Sequence, residues 1–219
     1  MSVNRRTLIG APLALTAASY RRLAGANGKV NIGVIGVGGN GSGHVRNLLR
    51  MPEKVQVTAV CDVYAPRLDR AITATKAKGY RDYLELLADP NVDAVVISTP
   101  DHWHARMAID AMRAGKDVDV EKPMARSIEQ AQEMVRVARE TGRVLAVDSE
   151  HMAHGIWKVA RQAVDMGVLG KLLWSQTSRS RNARETPWNY ELDAGAGPGN
   201  IDWDRWLGDT AKVPFSKER

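Results

Sequence analysis

The chain has 219 residues, 44% hydrophobic and 26% charged, which is room for one ordinary domain and part of another and excludes a disordered chain. Its single cysteine, Cys61, excludes an intrachain disulfide framework. The formal charge of +6 looks like a nucleic-acid signal until it is located. Arg5, Arg6, Arg21 and Arg22 lie in residues 1–26, which hold no acid, and removing them leaves +2.

Residues 1–26 read as a removable address. The pair Arg5-Arg6 directly precedes the apolar run 8–18. A basic start, an apolar run and a small-residue site define a signal peptide. The paired arginines resemble a twin-arginine signal, which predicts a periplasmic or secreted protein. Ala24-Gly25-Ala26 and Ala17-Ala18-Ser19 both fit the cleavage pattern. An N-terminal helix packed on the domain is the alternative. The longest uncharged stretch there, residues 7–20, has 14 residues, short of the roughly 20 a membrane span needs.

The body alternates strand and helix. Residues 29–36 (KVNIGVIG) form a short apolar run ending in glycine, which predicts a buried strand. Residues 39–50 follow as a helix, 55–62 as a second strand and 66–78 as a helix, with Pro66 suited to its first turn. A short helix over 83–88 leads to a third clear strand at 92–98. His104, Met107, Ala108, Ala111 and Met112 recur at helical spacing within 101–114. A strand over 117–121 comes next. A helix over 127–141 opens on the capping box Ser127-x-x-Gln130 and stops at Gly142, before a last strand at 143–148. Strands separated by helices pair in parallel through right-handed crossovers. The fold class is therefore α/β, a doubly wound parallel sheet of the Rossmann type.

Gly36-Val37-Gly38-Gly39-Asn40-Gly41 fits G-x-G-x-x-G between the first strand and the first helix. Gly36 permits the tight turn, Gly38 lets the backbone approach a pyrophosphate, and Gly41 allows close helix–strand packing. Gly39 and Asn40 open the helix, whose N-terminus offers N–H groups and partial positive charge to phosphates. Asp62 ends the second strand 26 residues after Gly36. A carboxylate there accepts hydrogen bonds from ribose hydroxyls and repels a 2′-phosphate, which favours NAD over NADP. Arg67 keeps NADP open.

Three motifs together resemble the Gfo/Idh/MocA oxidoreductases: Gly36–Gly41, Ser98-Thr99-Pro100-Asp101-His102-Trp103-His104, and Glu121-Lys122-Pro123. The likeness extends through residues 30–219, where Asp202-Trp203-Asp204-Arg205-Trp206-Leu207-Gly208 is similar to a segment early in that family's second domain. The resemblance implies an NAD(P)-binding domain over residues 29–150, followed by the beginning of an α/β substrate domain over 151–219. It implies hydride transfer between a nicotinamide cofactor and a sugar, polyol or sugar derivative. Thr99 and Pro100 match the turn beside the nicotinamide ribose. Lys122 matches the lysine on the reacting hydroxyl, with a cis Lys122–Pro123 bond, and Glu121 is placed to orient it; Glu121 and Lys122 are also expected among the cofactor-binding residues. His102 and His104 are expected to shape the turn near the cofactor. A lysine beside a cationic nicotinamide has its pKa drawn toward neutrality, which suits a proton acceptor.

Two departures from the family pattern stand out. Asp148-Ser149-Glu150 replaces a G-T-Q-like stretch, and the family's downstream aspartate/histidine motif would fall beyond Arg219. A truncated substrate domain is thus expected, with nucleotide binding retained and turnover lost in this chain alone. Homo-oligomerisation through the C-terminal sheet is the association that the resemblance implies. An NAD-dependent glycosidase with transient redox chemistry and a non-catalytic nucleotide-binding chain are the competing readings. His102-x-His104 with His151-x-x-His154 is a weak metal pattern, since the pairs share no helical face, and no metal is expected. His44 reads as packing or capping in the first helix. Trp157, Trp174, Trp188, Trp203 and Trp206 follow residue 150 and read equally as sugar-stacking faces or as core anchors.

Overall fold

A computed structural model describes residues 28–149, 155–178 and 193–218. The expected signal segment 1–26, Glu150, His151, His154 and Trp188 lie outside the described residues. The order is β1 (Val30–Ile35), α1 (Gly39–Leu48), β2 (Val55–Cys61), α2 (Ala65–Thr75), β3 (Lys78–Tyr80) and α3 (Tyr83–Leu87). There follow β4 (Ala94–Ile97), a 3-10 turn (Asp101–Trp103), α4 (His104–Arg113), β5 (Asp117–Glu121), α5 (Ile128–Thr141) and β6 (Leu145–Asp148). Helices α6 (Gly155–Asp165) and α7 (Trp203–Leu207) complete the described elements. Among these, no helix is long and apolar enough to cross a membrane.

The six strands form one sheet in the order β3-β2-β1-β4-β5-β6. Every pair is parallel. Ile32, Val34 and Val60 pack on one face with Val45 of α1 and Leu68 of α2. Ile35, Val95, Val118 and Val120 pack on the other, with Met107 and Met112 of α4 and Met134 and Val137 of α5. Helices on both faces bury the strands on both sides, which is why the strands read as near-continuous apolar runs.

Two expectations need correction. The helix predicted to run to Lys78 ends at Thr75, where Lys76 turns left-handed with φ 58°. Lys78–Tyr80 instead joins the sheet edge beside β2. Only Tyr80 of the three is buried, so the strand is a product of the sheet it joins and leaves no apolar run. The capping box is also displaced. Ser127 Oγ accepts from Gln130 N at 3.3 Å, but the Gln130 side chain accepts from Arg126 N at 3.1 Å, one residue before the cap.

The chain divides into two compact units, the first comprising residues up to Asp148 with 196–215, the second 149–195 with 216–219. In the first unit, Ala65 N donates to Asn200 O, Asp202 N donates to Val63 O, and Ile201 bridges Tyr64. Arg205 reaches Asp82 at 3.0 Å, and Leu207 is buried. Trp203 and Trp206 stack at 4.7 Å between centroids. In the second unit, Trp157 and Trp174 are exposed.

Candidate cofactor and substrate site

The direction of the crossovers reverses between β1 and β4, so the loops after these strands part around a crevice at their carboxyl ends. Gly36 follows β1 at φ +83°, and a Cβ there would stand 2.8 Å from the Ser98 backbone. Only glycine fits. At Gly41 a Cβ would lie 1.8 Å from the Gly36 carbonyl oxygen, so the helix can approach the strand this closely only without one. Helix α1 begins after Gly38 with no side chain capping it. Its first N–H groups and dipole are therefore left for an anionic group. The Arg67 guanidinium sits over the same loop, 3.0 Å from where a Gly38 Cβ would be.

Asp62, just past β2, is buried, and both its oxygens are engaged. Oδ2 accepts from Val37 N at 2.9 Å and Oδ1 from Tyr64 N at 2.8 Å. Burial pushes its carboxyl above the ordinary carboxylate range, against the opposing pull of those two N–H groups. An ionised carboxylate has about four lone-pair directions, so two remain for further donors.

The family model of the NAD-binding Rossmann fold of the GFO/IDH/MocA oxidoreductases matches residues 30–149. The chain belongs to the Gfo/Idh/MocA oxidoreductase family. Its first unit is an NAD-binding domain. The chain is 34% identical over 215 residues to a glycosyl hydrolase family 109 protein of Solibacter usitatus, covering 90% of this chain and 47% of that protein. It therefore spans about half the length of that curated relative. Among solved structures, an NAD binding oxidoreductase from Klebsiella pneumoniae is 34% identical with a TM-score of 0.59, covering 65% of this chain and 40% of the other. The WlbA dehydrogenase from Bordetella pertussis, in complex with NADH and UDP-GlcNAcA, is 29% identical with a TM-score of 0.63, covering 65% and 41%.

The second and third motifs of this Gfo/Idh/MocA chain meet through His104. The ring is 2% exposed, with Nε2 2.8 Å from the Thr99 carbonyl and Nδ1 2.7 Å from the Pro123 carbonyl. His104 thus fixes the Thr99-Pro100 turn relative to the cis Lys122–Pro123 segment. A neutral ring can donate to one of these carbonyls, a protonated ring to both. His104→Leu removes the ring that bridges these two part-buried carbonyls and should lower stability by about 1–3 kcal/mol. Thermal unfolding checks this; an unchanged midpoint would show that the two carbonyls find other donors.

Other expected placements change. His102 Nε2 lies 2.8 Å from the Trp206 carbonyl, which also accepts from Trp103 Nε1 at 3.1 Å, so these two residues tie α7 to the turn after β4. Glu121 does not orient the Lys122 amine. Its Oε1 takes His44 Nε2 at 3.1 Å and Asn40 Nδ2 at 3.4 Å, while Oε2 accepts from the Lys122 backbone N–H at 3.2 Å. Lys122 carries its side chain on the exposed surface at the end of β5. Asn40 and His44 share a helix face at i, i+4 spacing, so one turn of α1 reaches Glu121 twice. His44 is the site-lining residue that reading the sequence as packing missed.

Proposed function

We propose that the protein is an NAD-dependent oxidoreductase acting on a secondary hydroxyl of a sugar, polyol or sugar derivative. The observation that carries this is the convergence of Lys122, the Thr99-Pro100 turn and the glycine loop at the carboxyl ends of β5, β4 and β1. When bound, the nicotinamide supplies the hydride acceptor or donor. Lys122 then takes the hydroxyl proton on its amine, or returns it in the reverse direction. Thr99 and Pro100 shape the turn that faces the ribose. Asp62 accepts from the ribose hydroxyls through its remaining lone pairs, and Gly36, Gly38, Gly39 and Gly41 admit the pyrophosphate with Asn40 in the first helical turn. The UDP-GlcNAcA bound to the similar WlbA dehydrogenase supports a sugar-derived substrate.

A second reading is carried by the name of the Solibacter relative: a glycosidase in which the cofactor is oxidised and restored within one turnover. Absorbance at the NADH band separates the two. An oxidoreductase accumulates NADH in step with product from a free sugar. A glycosidase releases sugar from a glycoside with no net change.

Cofactor choice turns on Asp62 against Arg67. NAD should bind more tightly than NADP, and Asp62→Ala should narrow or reverse the preference. Ribose hydroxyls donate to the ionised carboxylate, and that carboxyl is raised above its usual 3.8. NAD affinity should therefore hold at neutral pH and fall as acidification passes through the raised value, beginning above 3.8. Asp62→Asn should flatten that profile. Calorimetric titration across pH measures it, and tighter NADP binding by the unmodified protein would assign the pocket to Arg67.

The twin-arginine reading of residues 1–26 belongs to the same proposal and places the protein in the periplasm or outside the cell. Replacing Arg5 and Arg6 together with lysine should leave uncut precursor in the cytoplasm, as fractionation and mass measurement would show. Normal export of that double variant removes the assignment.

A further inference from the structure

Three carboxylates crowd one open stretch of the sheet. Glu121 and Asp148 are direct partners in the register of parallel strands β5 and β6. Asp119 lies two residues before Glu121 and so faces the same side. Val118, Val120 and Val147 belong to the core on the opposite side, which leaves the acids turned toward α1. Like charges side by side on adjacent strands are mutually destabilising.

His44 enters this group from α1. Its Nε2 stands 3.1 Å from Glu121 Oε1 and 3.6 Å from Asp148 Oδ2. One donor atom from each of the three residues lies within 4.8 Å of the others. Metal–ligand bonds of roughly 2.0–2.2 Å to imidazole nitrogen and carboxylate oxygen separate neighbouring ligands by about 3.0–3.6 Å. The two observed separations fall in that window. Three ligands from three elements leave one or more positions open for water. The backbone N–H of Lys122 on Glu121 Oε2 fixes the carboxylate so that Oε1 faces His44.

We propose that His44, Glu121 and Asp148 form a binding site for one divalent first-row transition ion of the Zn²⁺, Co²⁺ or Mn²⁺ kind. One imidazole with two carboxylates suits such ions better than Mg²⁺ or Ca²⁺, which favour shells of oxygen alone. The ion supplies the positive charge that three converging carboxylates require, and it ties the helix carrying the glycine loop to the strand carrying Lys122. The site adjoins the first turn of α1, where Asn40 also reaches Glu121 Oε1 at 3.4 Å, so metal binding is measured without nucleotide and NAD binding in a separate titration.

The test is a titration of nucleotide-free protein with Co²⁺ alone, followed by visible absorption, with Zn²⁺ as competitor. The expected result is a d–d spectrum that saturates at one ion per chain and is bleached by Zn²⁺. His44→Gln and Asp148→Asn should each weaken binding by about 100-fold, with unfolding midpoints measured to show that the variants are folded. A second measurement needs no variant. Substoichiometric Mn²⁺ should broaden the His44 ring resonances well before those of His102 and His104. No saturable Co²⁺ spectrum, unchanged affinity in folded His44→Gln, or equal broadening of all three histidines overturns the site. Loss of NAD binding in a separate titration bears on the cofactor reading and not on this one.

Discussion

Gly41→Ala is expected to abolish tight nucleotide binding and to destabilise the fold. The added Cβ would stand 1.8 Å from the Gly36 carbonyl oxygen and 2.8 Å from its carbon. Both atoms are backbone, so no side-chain rotation relieves the contact. The start of α1 must move away from β1, at a cost of about 3 kcal/mol. Its N–H groups move with it, and a displacement near 1 Å in a positioning element costs roughly 100-fold. Gly39 provides the contrast. A Cβ there meets nothing within 4 Å, so Gly39→Ala should leave the unfolding midpoint where it is. Calorimetric NAD titration and thermal melts measure both variants. Equal melting of the two alanine variants would mean that the close approach of α1 to β1 is not what the third glycine of the loop secures.

Lys122→Met should silence turnover and spare binding. Methionine keeps the reach of the stem and removes the amine, so the substrate hydroxyl loses its proton acceptor. A positioned general base contributes about 10²–10⁴-fold, and kcat should fall by that amount. Lys122 is exposed and its backbone geometry is set by Glu121 and Pro123, so the fold should be unaffected. NAD affinity should stay within about a factor of three, which assigns the lost rate to chemistry. The assay is NADH formation over a panel of sugars and polyols, run in a protein that carries the complete substrate domain, with and without Lys122→Met. Turnover by Lys122→Met close to that of the unmodified protein would move the proton acceptor elsewhere, with the neighbouring Glu121 carboxylate the first alternative.

The sequence by itself determined the sheet, its parallel pairing and the glycine loop. Strands buried on both faces must be short apolar runs such as VNIGVI and VQVTAVC, and amphipathic helices between them force right-handed crossovers. Gly36 and Gly41 were legible because local backbone constraints act on neighbours in the chain. Only the tertiary structure decided what meets what. His44 and Glu121 are 77 residues apart, and nothing in the helical pattern of α1 says that strand β5 ends beside it. His104 joins Thr99, five residues away, to Pro123, nineteen away, so one imidazole bridges the T-P-D-H-W-H and E-K-P motifs. His102 was drawn off by the Trp206 carbonyl, 104 residues on. Strand β3 exists because β2 offers it an edge, and its three residues carry no apolar signal of their own. Periodicity reports which way a residue faces within its own element; the partner on that face is set by packing between elements, and charge and hydrogen-bond matching across that gap leave no trace in local spacing.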